Sequence, residues 1–412
     1  MLDPFGSDRS AATWIRAVYG RLRGGAFVAS KSIRFMAAPT LLHPRADLIE
    51  VGDDRRVRLL QVIGKGASSV VHQGLLEHRS GLARLVAVKV FGTVSSEDAD
   101  QVLALAARTA IRAACIRHPN VVETCDFGQW RGQPYFINEL VDGVSLHAVL
   151  ERYAERSLRL PLDLALFIAC EIGEALSGAR TMRDHRGLQL GMLHLALGAR
   201  KVLLSWRGEV KVSDFETSMA QLASSSIRNL RAVAHRTATM APEVAHGHVG
   251  DGRSDVFSLG VLLREMFVGP RFGRDVKNAD AVRLARDGFV QPMSFQPHLP
   301  VALVQVIERA LQIDPVDRYP NAGAMAFELR RIALAMGVGD GRLFLRRALD
   351  RDFGNDASEV TAERPYSTAP PRAPAPPPAP APAAKSRPSP VRPDDLLDLI
   401  DLDAMPTIAN DD

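Results

Sequence analysis

The sequence predicts an α+β chain: strands crowd its first part, helices follow, and a tail without a core closes it. Strand signals begin at Arg58-Leu59-Leu60-Gln61-Val62-Ile63, which leads into Gly64-Lys65-Gly66-Ala67-Ser68-Ser69-Val70-Val71, and return at Val86-Ala87-Val88-Lys89. A helix is predicted over Leu158 to Met182, where Leu164, Phe167, Ile168, Ile172 and Leu176 fall at helical spacing. A hairpin follows, with Lys201-Val202-Leu203-Leu204 and Val210-Lys211-Val212 flanking the turn signal Arg207-Gly208.

Length and composition set the limits. At 412 residues and 46% hydrophobic content, the chain can bury one large core, or two lobes with tails. The formal charge of +4 comes from scattered Lys and Arg, which argues against nucleic acid as a partner. Cys115, Cys125 and Cys170 show neither metal nor redox spacing, so buried thiols in a reducing cytoplasmic setting are expected. The most apolar stretch, Leu162 to Leu176, is interrupted by Asp163, Glu171 and Glu174, and no signal peptide is read at the N-terminus.

Residues 1–54 form a basic extension. Between Ala11 and Phe35, Trp14, Ile15, Val18, Leu22 and Phe27 alternate with Arg16, Arg21, Arg23, Lys31 and Arg34. Such a segment either touches an anionic membrane surface or a partner, or packs as a loose extension. Gly20, Gly24 and Gly25 favour the last, because they weaken the helix that membrane contact needs. In Gly64-Lys65-Gly66 the absent side chains let a hairpin tip come close to phosphate oxygens. His118-Pro119-Asn120-Val121-Val122 and Pro134-Tyr135-Phe136-Ile137-Asn138-Glu139-Leu140-Val141 come next, and then the stretch His194 to Glu216 that holds the hairpin. Met240-Ala241-Pro242-Glu243, the helix start at Asp255, and Asp314-Pro315-Val316-Asp317-Arg318 complete the series.

Taken together, these stretches resemble the protein kinases, in particular the bacterial Ser/Thr kinases, over about residues 55–335. The resemblance implies a two-lobed fold with a β-rich N-lobe and a helical C-lobe. It assigns Gly64 and Gly66 to the glycine-rich loop, Lys89 to the phosphates of ATP, Glu139 and Val141 to adenine, and Asp214 to the metal ion. Asn138 falls at the gating position behind adenine, Glu243 pairs with Arg318, and Asp255 caps the catalytic-loop backbone.

The chain departs from the family pattern where the chemistry is done. His194 matches the start of the catalytic loop H-R-D-L-x-x-x-N, but Leu195 stands for its Arg, Ala196 for the proton-accepting Asp and Lys201 for the metal-binding Asn. Glu216 replaces the Gly of D-F-G. Thr109 stands where a helix Glu is expected to pair with Lys89, and no acidic residue lies between Val102 and Arg117, so Lys89 is expected to be loosely held. In the activation segment, Thr217 to Thr239, Ser224, Ser225 and Ser226 lie beside Arg228, Arg231 and Arg236, but Leu195 removes the Arg that receives a phosphate in the family.

The expectation is therefore a pseudokinase: a signalling scaffold or allosteric regulator with no appreciable phosphotransfer. ATP binding is expected to be weak or independent of Mg²⁺. The alternative is an active Ser/Thr kinase with a non-standard active site. Residues 336–393 are expected to form a linker, Pro/Ala-rich from Pro365 to Pro393, within a disordered C-terminal tail. In residues 394–412, Asp394 to Asp403 interleaves acidic residues with Leu and Ile, either to recruit other signalling proteins or as a solubilising tail.

Overall fold

The computed structural model describes residues 48–66, 69–92, 107, 109–184, 187–215, 238–272, 276, 278–290, 293 and 299–361. By its contacts the chain divides into two units: Gln61–Gln73 with Leu85–Gly354, and Met1–Leu60 with Gly74–Arg84 and Asn355–Asp412. The basic segment from Ala11 to Phe35, the activation-segment serines, Glu216 and residues 394–412 lie outside the described residues.

Alternation builds the outer strands. In β2 (Arg55–Lys65), Val57 and Leu59 turn inward, while Arg56 and Arg58 pair with Glu77 of β3 (Ser69–His78) at 2.9 and 3.4 Å. Before β2 stands β1 (Leu48–Val51), in register Leu48↔Arg58 to Val51↔Arg55. β1 falls inside the stretch expected to be an extension; four residues are too few to show a period. The sheet continues through β4 (Ala83–Phe91), β5 (Thr124–Trp130) and β6 (Gln133–Glu139) in the order β1-β2-β3-β4-β6-β5. β6 lies between two neighbours and buries five successive residues, Pro134 to Asn138, as a strand covered on both faces must.

A second, three-stranded sheet is formed by β7 (Gly143–Ser145), β8 (Val202–Ser205) and β9 (Val210–Val212). β8 and β9 are the expected hairpin, except that Lys201 belongs to a 3₁₀ turn, Ala199–Lys201, ahead of β8. α1 (Leu146–Glu155) starts at Ser145, whose hydroxyl accepts from the Ala148 N–H at 3.2 Å. α2 (Leu162–Thr181) is the expected core helix, shortened at its start by Pro161. Eleven of its residues are buried, which makes it the axis of the helical part. Further along the chain come α3 (Pro242–Ala245), α4 (Gly252–Val268), α5 (Asn278–Arg286), α6 (Val301–Ala310) and α7 (Ala322–Ala335). α2 and α7 approach so closely at Gly173 that a Cβ there would meet the Ala326 Cβ at 2.6 Å.

One element corrects the expected linker. Residues Gly341–Thr361 form α8, and Leu345, Leu349 and Phe353, four apart, enter the same core as α2. Its start is wedged against the hairpin: a Cβ on Gly208, whose φ is +79°, would meet the Arg342 carbonyl oxygen at 2.2 Å. Arg156 and Arg351 hold the buried Asp352 carboxylate at 2.7 and 2.9 Å, and Arg152 stacks on Phe353. Of the three cysteines only Cys170 is buried, its thiol pushed up to about 11 chiefly by burial; Cys115 and Cys125 are half-buried, contrary to expectation. Among the described residues no helix is long and apolar enough to cross a membrane.

Candidate functional site

The site is assembled at the two ends of the β8–β9 hairpin. The loop before it is fixed from below by Asp255 in the first turn of α4, whose carboxylate accepts from the N–H groups of His194 and Leu195 at 2.8 and 2.7 Å. This is the capping role expected of Asp255. The loop needs such an anchor because Leu195 has φ +54°, a region that costs a branched side chain energy. Full burial pushes the Asp255 carboxyl up to about 6 despite the two N–H donors.

His194 is wholly buried and held neutral. Its Nε2 lies 3.0 Å from the Ser213 carbonyl oxygen and donates to it, and its Nδ1 accepts weakly from the Ala196 N–H at 3.4 Å. Burial, reinforced by the Lys201 ammonium, pushes its pKa down to about 3. Its ring meets Phe215 edge-on at 4.9 Å, which ties the loop to the Asp214-Phe215 corner. Ala196 is 5% exposed and presents only a methyl group at the position the resemblance gives to the proton acceptor.

Lys89 does not hang loose. It is buried on β4, its ammonium lies 5.4 Å from the Phe91 ring centre, and it pairs with Asp214 Oδ1 at 2.7 Å. Lys201 approaches the other oxygen, Oδ2, at 3.9 Å. Burial alone would raise the Asp214 carboxyl, but the two ammonium groups outweigh it and hold it well below the usual carboxylate range. Asp214 has φ +75°, so the backbone is bent to aim this carboxylate. Thr109, in the expected place of the helix Glu, is buried and helical. The expectation of a loosely held Lys89 is corrected by geometry that sequence spacing does not carry: β4 and the end of β9 meet only through the fold.

The remaining expected residues are distributed along the sheets. Gly64 and Gly66 close the β2–β3 tip, where the Gly66 N–H donates to the Ser69 carbonyl at 2.8 Å; Ala67 and Ser68 lie outside the described residues. Asn138 is buried in β6 opposite Ala87 and Thr124. Glu139 ends that strand, and its carboxylate takes Lys211 at 3.0 Å and the Glu123 N–H at 3.3 Å, two contacts the sequence did not suggest. Val141 lies between β6 and β7. Among the described residues no group of three or more His, Cys, Asp and Glu side chains is placed to hold a metal ion.

The architectural pair is complete. Arg318 has no exposed side-chain surface and grips Glu243 through its two terminal guanidinium nitrogens at 2.9 Å, with further bonds to the carbonyls of Gln312, Ile313 and Arg253. Thr239, just ahead of this pair, donates its hydroxyl to the Leu197 carbonyl, and Ser258 donates to the Thr239 carbonyl at 2.8 Å. The start of the A-P-E stretch is thereby tied to the catalytic-type loop.

A curled β-sheet carrying a buried lysine, followed by a helical lobe with this loop, hairpin and Glu–Arg pair, defines the protein-kinase fold. The family profile "Protein tyrosine and serine/threonine kinase" matches residues 57–326, and the chain belongs to that family. It is 28% identical over 316 residues to a probable serine/threonine-protein kinase PknB of Lactococcus lactis, covering 76% of this chain and 47% of that protein. It is 30% identical over 282 residues to the serine/threonine-protein kinase PknB of Mycobacterium leprae, covering 67% of this chain and 43% of that protein. The chain thus spans less than half the length of these relatives. A mutant form of the Mycobacterium tuberculosis PknI kinase domain shares the fold at a TM-score of 0.50 and 24% identity, over 67% of this chain and 95% of that one. Members of the family use ATP with Mg²⁺.

Proposed function

We propose that this kinase-fold protein acts as a signalling scaffold or allosteric regulator and transfers no appreciable phosphate. One observation carries the reading: the loop position that accepts the substrate proton in the family holds the buried methyl of Ala196. General-base loss alone costs about 10²–10⁴-fold in rate. The donor set at the metal position adds to it, because Asp214 already faces Lys89 and Lys201 at 2.7 and 3.9 Å. A doubly charged ion about 4 Å from an ammonium meets a repulsion of about 2 kcal/mol in water and about 8 kcal/mol at an effective dielectric of about 20. These residues do not suit Mg²⁺. Incubation with γ-labelled and α-labelled ATP tests the reading: neither label is expected on protein.

The second reading, an active Ser/Thr kinase, is favoured by the names of the relatives, which are kinases. The presence of Lys89, Asp214 and the Glu243–Arg318 pair supports it as well. Transfer of the γ label establishes it. In either reading the chain acts in the cytoplasm, and residues 394–412 recruit protein partners. Pull-downs with the full chain and with one ending before Asp394 check the latter; partners captured by the full chain and lost from the truncated one are the expected result.

A further inference from the structure

α8 lies beyond the stretch that the family profile matches, which ends at residue 326, and it packs on the turn of the β8–β9 hairpin. The Arg342 carbonyl oxygen stands where a Cβ on Gly208 would fall. The Arg342 guanidinium reaches Glu209 at 2.9 Å, and the same carboxylate accepts from the Ser205 hydroxyl at 3.2 Å. One turn from the last anchor, Phe353 meets the Trp206 ring at 6.3 Å between centres. The hairpin carries these contacts towards the cleft. From Ser205 and Glu209 at the turn, the pairs Leu204↔Val210, Leu203↔Lys211 and Val202↔Val212 lead to the Ser213 N–H, which donates to the Lys201 carbonyl at 2.8 Å beside Asp214.

α8 is also lightly held. Its buried apolar anchors are Leu345, Leu349 and Phe353, and its ion pairs to α1 and the hairpin use exposed arginines, each worth little in water. Residues 336–340, which join it to α7, include Gly337 at φ +68° and Gly339, so this connection can turn without disturbing α7. Once detached, a helix of this length is marginal in water. We propose that α8 is a latch: its release from α1 and the hairpin, with α2 still folded, is a distinct state of the chain, and in that state the hairpin ends at Lys201 and Asp214 lose their fixed positions. A ligand that prefers the docked or the released state then acts on the cleft through α8. The latch belongs to the fold and holds in either reading of the chain's function.

Amide exchange of the full chain, followed by mass spectrometry over residues 341–354, 202–213 and 162–181, tests this. In the natural chain α8 is expected to exchange at least about tenfold faster than α2. Asp352→Ala removes a carboxylate that pairs with Arg156 of α1 and with Arg351 of α8 itself. It is expected to speed exchange at least about threefold in α8 and, through α8, in the hairpin, with α2 unchanged. Gly208→Ala is expected to speed both as well. Its control is Gly132→Ala, which has a similar φ of +77° but open space around the added Cβ, and which is expected to speed neither. α8 exchanging as slowly as α2 in the natural chain overturns the proposal. So does Asp352→Ala that speeds α8 and leaves the hairpin as it was, or Gly208→Ala and Gly132→Ala acting equally on α8. Asp352→Ala decides the matter if Gly208→Ala does not fold.

Discussion

The neutral His194 makes stability depend on pH in a way that can be isolated. Its folded-state pKa is about 3 against an ordinary 6.5, so between those values the unfolded chain binds one more proton than the folded chain. The histidine's contribution is fully present above the ordinary value and is lost as pH falls toward the folded one, with a slope of up to about 1.4 kcal/mol per pH unit. Asp255 works in the opposite direction: its folded value of about 6 lies above the ordinary 3.8, so the folded chain holds the extra proton in that window. The two slopes oppose each other, and the bare pH profile hides both. Comparison with His194→Phe removes the confusion, because Asp255 is common to both chains and a phenyl ring preserves the contact with Phe215. Urea unfolding of both chains from about pH 7.5 to about pH 4 should show the gap between them shrinking by on the order of 3 kcal/mol. A gap that stays constant with pH would refute the claim that burial and the Lys201 charge hold this ring neutral.

Two further outcomes follow from buried charge. Glu243→Ala leaves the Arg318 guanidinium buried without its carboxylate and should cost about 3–5 kcal/mol in urea unfolding; Glu243→Met with Arg318→Met should recover part of that loss. Asp352→Ala should cost less, about 1–2 kcal/mol, because its partners Arg156 and Arg351 have 45% and 64% of their side chains exposed and can return to water. Its signature is faster amide exchange in Gly341 to Gly354 than in α2.

What the sequence made legible was whatever depends on spacing along the chain. The distance from His194 to Asp214, the Met240-Ala241-Pro242-Glu243 stretch and the helix start at Asp255 located the loop, the Glu243–Arg318 pair and the backbone cap. Contacts between segments far apart were hidden. That Lys89 finds Asp214 depends on where β4 meets the end of β9, and that Glu139 takes Lys211 depends on how β6 approaches β9. α8 was missed for a different reason. Leu345, Leu349 and Phe353 have helical spacing, but they are interleaved with Arg346, Arg347, Asp350 and Arg351 and precede a proline-rich run, so composition pointed to a linker. Of those charges Arg351 fastens the helix, through the Tyr153 hydroxyl at 2.8 Å, and Asp352 beside it takes Arg156 at 2.7 Å.

We propose that the methyl of Ala196 and the ammonium of Lys201 leave this kinase-fold protein without phosphoryl transfer. Intact-mass measurement of the full chain and an added generic protein substrate, after prolonged incubation with ATP and Mg²⁺, tests it most directly. Unmodified masses are expected for both. Phosphate on either one, lost when Asp214→Ala replaces the natural chain, would contradict it.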